Sequence, residues 1–155
     1  MNFEFSADQM QLKDIARKFL EKENAVKRAR NVLEGEESFD ENLWQQIIEM
    51  GFTATAIPEE YGGLGLGYLE LCVIAEELGR SLAPTPFSSS VYLATEAILN
   101  SEDDSLKQNY LPSLANGEKI GSFAHSESNT SPTESNIQCN VSGNVLSGKK
   151  IAVVD

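Results

Sequence analysis

Cysteine, histidine and tryptophan are scarce in this chain: two, one and one among 155 residues. Cys72 and Cys139 lie far apart, which argues against the dense disulfide framework of a small secreted scaffold and for a reducing, cytoplasmic setting. One histidine, His125, and two distant thiols cannot build a usual metal site. Positive charge is short as well: 12 basic residues against 24 acidic ones leave a net charge of −12. Such a surface repels phosphate backbones and anionic headgroups, so neither nucleic acid nor an anionic membrane is an expected partner. No apolar run approaches the ~20 residues that span a bilayer. Met1 to Phe5 carry neither a basic region nor an apolar signal core. What is present is ordinary globular material, 41% hydrophobic and 23% charged, which excludes a disordered tail or a fibre. A chain of this length buries roughly two-thirds of its unfolded surface without disulfide or metal. It makes one domain, or one domain and a piece of another.

The first strong pattern is helical. Ser6 and Gln9 form an S-x-x-Q capping box, and Leu12, Ile15, Ala16, Phe19 and Leu20 repeat at the 3.6 period. The pattern continues through Val26, Ala29 and Val32 and predicts helix up to Gly35. Asp40 caps a second helix carrying Leu43, Trp44, Ile47 and Ile48, closed by Gly51. Residues 52–57 read as extended, and the glycines at 62, 63, 65 and 67 as a turn. A third helix is predicted over 68–78, apolar on more than one side and so buried, Cys72 included, with Gly79 closing it. Thr85 and Pro86 open a fourth helix with Val91, Leu93, Ala94, Ile98 and Leu99. A fifth starts at Ser101, with Glu102, Asp103 and Asp104 at its positive end and Pro112 near its close.

After Gly117 the period changes. Residues 119–124 read as a strand, 128–135 as a loop, and Ile137, Cys139 and Val141 alternate with polar residues. Ser142-Gly143-Asn144 is a turn signal, and 145–154 a further strand. The predicted class is mainly α: an up-down helical bundle over 1–117 followed by an incomplete β domain over 118–155. The tail stops in mid-strand at Ile151–Asp155, which predicts the N-terminal part of a longer protein, its β tail mobile or pairing through open edges.

Candidate chemistry is thin. A Cys–His nucleophile pair is conceivable from the inventory, but Cys72 reads as a small core hydrophobe and Cys139 as one position of an alternating strand. Glu59 and Glu60 could act as acid and base, yet adjacent residues of an extended loop point apart. The acidic runs at 34–37 and 102–104 read as solvated faces and helix starts. The four glycines lack the Lys-Ser/Thr of a phosphate loop and read as a tight turn letting two helices pack closely.

Longer motifs say more. Ile57-Pro58-Glu59-Glu60-Tyr61-Gly62-Gly63-Leu64-Gly65, followed by Glu76-Glu77-Leu78-Gly79-Arg80, resembles the N-terminal signature of the acyl-CoA dehydrogenases. Met50-Gly51-Phe52 and Leu111-Pro112-Ser113-Leu114-Ala115-Asn116-Gly117-Glu118 fit the same family in order. The resemblance implies a helical N-terminal domain, a β-barrel middle domain and a C-terminal helical bundle, of which this chain holds the first and the opening strands of the second. It implies FAD-dependent α,β-dehydrogenation of an acyl-CoA thioester: a glutamate of the C-terminal domain takes the α-proton and the flavin takes the β-hydrogen as hydride. No catalytic residue is expected in this stretch, and by itself it should be inactive. Electron-transferring flavoprotein would receive the electrons, and the assembly would be a homo- or hetero-oligomer. Phe87, Val91, Tyr92 and Thr95 become candidates for the acyl pocket wall, with plain core packing as the alternative.

Flavin contacts would fall on Phe123, His125, Ser126, Pro132, Ala152 and Val154. Ser126 keeps a hydroxyl for the isoalloxazine edge, and Glu127 is kept. Ser131-Pro132 replaces a Gly-Ser pair, and Ala152 and Val154 stand where the family has Trp and Ser/Thr after a Gly148-Lys149-Lys150 turn. These departures support a second reading, a flavin-deficient partner subunit of a heteromeric dehydrogenase. A third, allowed by composition alone, is a helical interaction module.

Overall fold

The computed structural model describes residues 4–130 and 132–154. Six helical segments precede one small hairpin: α1 (Ala7–Lys22), α2 (Ala25–Glu34), α3 (Glu41–Glu49), α4 (Tyr68–Arg80), α5 and α6 (Asp104–Ala115), then β1 (Asn140–Ser142) and β2 (Val145–Ser147). α5 is wound as a π-helix over Ser88–Thr95 and as an α-helix over Glu96–Leu99. The mainly helical class expected from the sequence is the one observed. Among the described residues no helix is long and apolar enough to cross a membrane.

The capping box forms as read: the Gln9 backbone N–H donates to Ser6 Oγ at 3.2 Å, and the Ser6 N–H to Gln9 Oε1 at 2.9 Å. The first helix does not run on to Gly35. It breaks at Asn24, which sits at φ 52°, a left-handed conformation that asparagine tolerates. The break lets Ala25 enter the core beside Leu20. Arg28 fastens the corner, donating to the Glu23 backbone carbonyl (2.9 Å), the Glu23 carboxylate (2.9 Å) and Asp40 (3.0 Å). Asp40 caps α3 as expected, accepting the Leu43 N–H at 2.8 Å.

Residues 52–57 are not extended. Phe52–Ala54 is a 3-10 turn, because these buried backbone groups have no neighbouring strand and satisfy themselves locally. Thr53 Oγ1 donates to the Ala115 carbonyl (2.7 Å) and Thr55 Oγ1 to that of Phe52 (2.8 Å). The glycine loop then folds back onto this turn through Leu64 N–H to Ala54 O, Gly65 N–H to Ile57 O and Leu66 N–H to Thr55 O, each 2.9 Å. A Cβ on Gly63 would lie 1.9 Å from the Ile57 carbonyl oxygen. The close approach that glycine allows is thus loop against turn, not helix against helix.

α4 passes through Gly79 to Arg80 and packs mainly on α1. It buries Leu71, Val73, Ile74 and Leu78, while Tyr68, Leu69 and Cys72 face outward. Cys72 is therefore exposed rather than a core residue. Thr85 does not cap α5: its Oγ1 is shielded and has no hydrogen-bond partner. Asp103, not Ser101, caps α6, accepting the N–H groups of Ser105 (2.9 Å) and Leu106 (3.1 Å).

Two core clusters result. The larger joins α1, α3, α4 and the start of α5 around Leu20, Leu43, Ile47 and Ile74; the smaller centres on Ile57, Leu111 and Leu114. Residues 119–124 form no strand. They lie on the helices through Lys119 N–H to the Ser113 carbonyl (2.9 Å) and Gly121 N–H to Ser90 Oγ (3.2 Å). The hairpin is antiparallel, pairing Asn140 with Ser147, Val141 with Leu146 and Ser142 with Val145. Both strands are much shorter than 137–141 and 145–154 suggest, and every residue in them is exposed: strands pair only as far as they have a partner face to share.

Candidate functional site

A cavity of about 210 Å³ lies between residues of α4 and the start of α5. Leu78 and Gly79 of α4, Leu82 and Ala83 of the connection, and Thr85, Phe87, Ser88 and Tyr92 of the α5 approach line it. The rings stack in sequence: Trp44 meets Phe87 edge-on at 6.4 Å, and Phe87 meets Tyr92 at 5.2 Å. Burial pushes the Tyr92 phenol above its ordinary pKa, so it stays a neutral donor. On the rim Leu82 is exposed and held at φ 50°, a strained place for a branched side chain.

Of the four candidate wall residues, the structure brings Phe87 and Tyr92 together on this cavity. Val91 and Thr95 turn into the core instead, and Thr95 Oγ1 donates to the Ser90 carbonyl at 2.8 Å. Leu78, Leu82, Thr85 and Ser88 escaped the sequence reading. The spacing of Thr85, Ser88 and Tyr92, i, i+3 and i+7, is the signal that could have found three of these wall positions together.

The second group of candidates lies in the tail. Phe123 and His125 are exposed, their rings tilted at 40° with centroids 5.4 Å apart. Glu127 gathers the segment. Its Oε2 accepts the Gln138 N–H at 2.6 Å, and its Oε1 the Cys139 N–H at 3.0 Å and the Lys150 ammonium at 2.8 Å. These donors, with the Cys139 thiol foremost, hold the Glu127 carboxyl down at about 2, and the carboxylate in turn pushes the thiol up. The backbone carbonyl of His125 is taken by Lys150 (3.1 Å) and that of Ser126 by the Ile151 N–H (2.8 Å).

For a flavin these positions offer few donors. Pro132 has no N–H to offer. Ala152 sits at φ 51° with only a methyl group, and Val154 exposes an isopropyl group where a donor would be needed. Ser126 is the one position of the set that keeps a hydroxyl on the side chain. Ser131 lies outside the described residues. Glu59 and Glu60 are exposed, and among the described residues no cluster of His, Cys, Asp and Glu could hold a metal ion.

A sequence model of the acyl-CoA dehydrogenase N-terminal domain matches residues 6–118. The chain belongs to the acyl-CoA dehydrogenase family. It is 32% identical over 155 residues to a mitochondrial isovaleryl-CoA dehydrogenase of Arabidopsis thaliana, covering 95% of this chain and 37% of that one. The chain thus spans little more than a third of that relative. Among solved structures, the ChsE4–ChsE5 complex of Mycobacterium tuberculosis superposes with a TM-score of 0.75 at 28% identity, covering 85% of this chain and 36% of that one. An acyl-CoA dehydrogenase of Bacillus anthracis, solved with FAD, gives 0.73 at 27%, covering 83% and 22%. The α4–α5 cavity therefore lies within the part of this acyl-CoA dehydrogenase chain that the family model matches.

Proposed function

We propose that this chain is the helical N-terminal domain (1–117) and the start of the middle β domain (118–155) of a longer cytoplasmic protein that carries out α,β-dehydrogenation of an acyl-CoA thioester. The observation that carries the reading is the apolar cavity walled by Phe87 and Tyr92 in a chain of this family. In this role the two rings exclude water and hold the acyl tail, while Val91 and Thr95 brace them from the core side. The proton-abstracting base and most of the cofactor site lie outside these residues, so the 155-residue chain is inactive alone. The electron acceptor is an electron-transferring flavoprotein, and the working form is an oligomer. The test is the visible spectrum of the longer protein, purified natively: a flavin band that bleaches on adding an acyl-CoA is the expected outcome, and a flavin-containing protein that no acyl-CoA bleaches overturns the reading.

A second reading has its own observation. Pro132, Ala152 and Val154 leave three flavin positions without donors, and the solved relatives include a complex of two proteins, ChsE4 and ChsE5. On this reading the chain belongs to a flavin-deficient subunit, and a family partner brings the cofactor. A homo-oligomer carrying one flavin per subunit excludes it; a colourless subunit that gains activity only with a flavin-bearing partner supports it.

A further inference from the structure

We infer that the α4–α5 cavity is built for an acyl group with a neutral hydrogen-bonding function, a hydroxyl or a ketone, near its far end. This rests on reading the cavity as the acyl wall. Size comes first. About 210 Å³ gives room for a short tail. Polarity comes second. The lining is apolar except at Thr85, Ser88 and Tyr92. Thr85 Oγ1 is shielded from solvent and has no hydrogen-bond partner. The half-buried Tyr92 also lines the cavity, and its phenol forms no hydrogen bond among the described residues.

A plain alkyl tail would displace water from the Tyr92 hydroxyl without replacing its hydrogen bond, and would leave Thr85 Oγ1 as unpaired as it stands. A tail ending in oxygen gives Tyr92 an acceptor. It also gives Thr85 a partner after one χ1 turn, which exchanges the positions of its hydroxyl and methyl groups. A site with unpaired polar groups discriminates sharply against the analogue that lacks the matching atom. Charge decides which oxygen function fits. No lysine, arginine or histidine lines the cavity, and the chain carries a net −12. A terminal carboxylate would therefore be buried unpaired beside an acidic body, and that is excluded on cost. A neutral hydroxyl or carbonyl remains.

The test uses Trp44, the single tryptophan, whose edge-on packing against Phe87 lets its fluorescence read the cavity. Three N-acetylcysteamine thioesters are titrated into the full chain: 5-hydroxypentanoyl, the equally long hexanoyl, and glutaryl. The expected result is that the hydroxylated probe binds roughly tenfold tighter than hexanoyl, with glutaryl weakest. T85V and Y92F should each narrow the gap to about twofold. Equal binding of the hydroxylated and hexanoyl probes overturns the inference and leaves the acyl wall standing; the wild-type comparison alone decides this. A preference that survives both substitutions also overturns it. If none of the three probes changes Trp44 emission, the acyl-wall reading falls, and the inference with it.

Discussion

The Glu77 carboxylate is shut off from solvent yet stays ionised, because two guanidinium groups reach it from different elements. Arg17 of α1 donates through Nη2 to Oε1 at 2.7 Å and through Nε to Oε2 at 3.1 Å, and Arg80 of α4 donates through Nε to Oε2 at 2.8 Å. The Arg17 bond foremost, with Arg80 adding to it, lowers the Glu77 pKa from 4.5 to about 2 against the opposing effect of burial. The direction of linkage follows. The folded state binds this proton more weakly than the unfolded chain, so its stabilisation is complete above 4.5 and is lost as pH falls toward 2. In urea titrations the wild-type chain should therefore lose stability between about pH 5 and pH 2. E77Q should be less stable at pH 7 by about 2 kcal/mol, since it leaves the two arginines facing a neutral amide, and should flatten the acid limb. An unchanged acid limb in E77Q would assign the pH dependence to other carboxylates.

At the scale of elements, the glycine loop and the hairpin make opposite predictions. The Gly63 position has no room for a side chain, since a Cβ would meet the Ile57 carbonyl oxygen, a backbone atom that cannot swing aside. G63A should cost at least about 2 kcal/mol by displacing the loop from the 54–57 turn. Gly143 sits at φ 60° in open space, so G143A should cost only the left-handed penalty of about 1 kcal/mol. Denaturant midpoints of the two variants give the comparison, and equal costs would refute the close approach. Signals carried by one residue and its near neighbours were legible in the sequence: the Ser6–Gln9 box and the Asp40 cap form as read, and the glycines do make a turn, though against the 54–57 turn and not between two helices. What depends on distant partners was not. The period of α1 continues past Asn24 in the sequence, and only Arg28 reaching Glu23 and Asp40 shows why the chain turns there. Residues 119–124 have strand composition, but they lie where helices, not a strand, offer hydrogen-bond partners. Cys72 faces outward because α4 packs mainly on α1 and its Cys72 side is left uncovered, where its all-round apolarity suggests full burial. Phe87 and Tyr92, candidates from family likeness, do line one cavity, whereas Thr85 and Leu82 enter it only once the chain has folded.

In its hydrogen bonding the described chain divides near residue 124. Up to that point the chain is tied to the helices: Lys119 donates to the Ser113 carbonyl and Gly121 to Ser90, and the exposed Phe123 lines a pocket with Ala94, Ile98 and Tyr110. Beyond it the tail's bonds close on themselves, through Glu127 to Gln138, Cys139 and Lys150, through Ser126 to Ile151, and across the hairpin. The hairpin leaves Val141, Val145 and Leu146 exposed, so it buries little apolar surface. Two consequences are measurable. Amides of 140–147 should exchange hydrogen far faster than those of α4 in a dilute monomer, because hairpin opening does not require the helical core to open. Strong protection there would refute independent opening. A chain truncated after Ala124 should keep its helical far-UV signal and melt within about 2 °C of the 155-residue chain, because a loss of 1 kcal/mol in a domain of this size already moves the midpoint by roughly 4 °C. A drop of more than about 5 °C would show that the tail stabilises the bundle. A null shift leaves the helical domain as a self-sufficient folding unit. The cavity at Phe87 and Tyr92 then forms whether or not the tail is in place, and it can be tested for ligands without any cofactor bound.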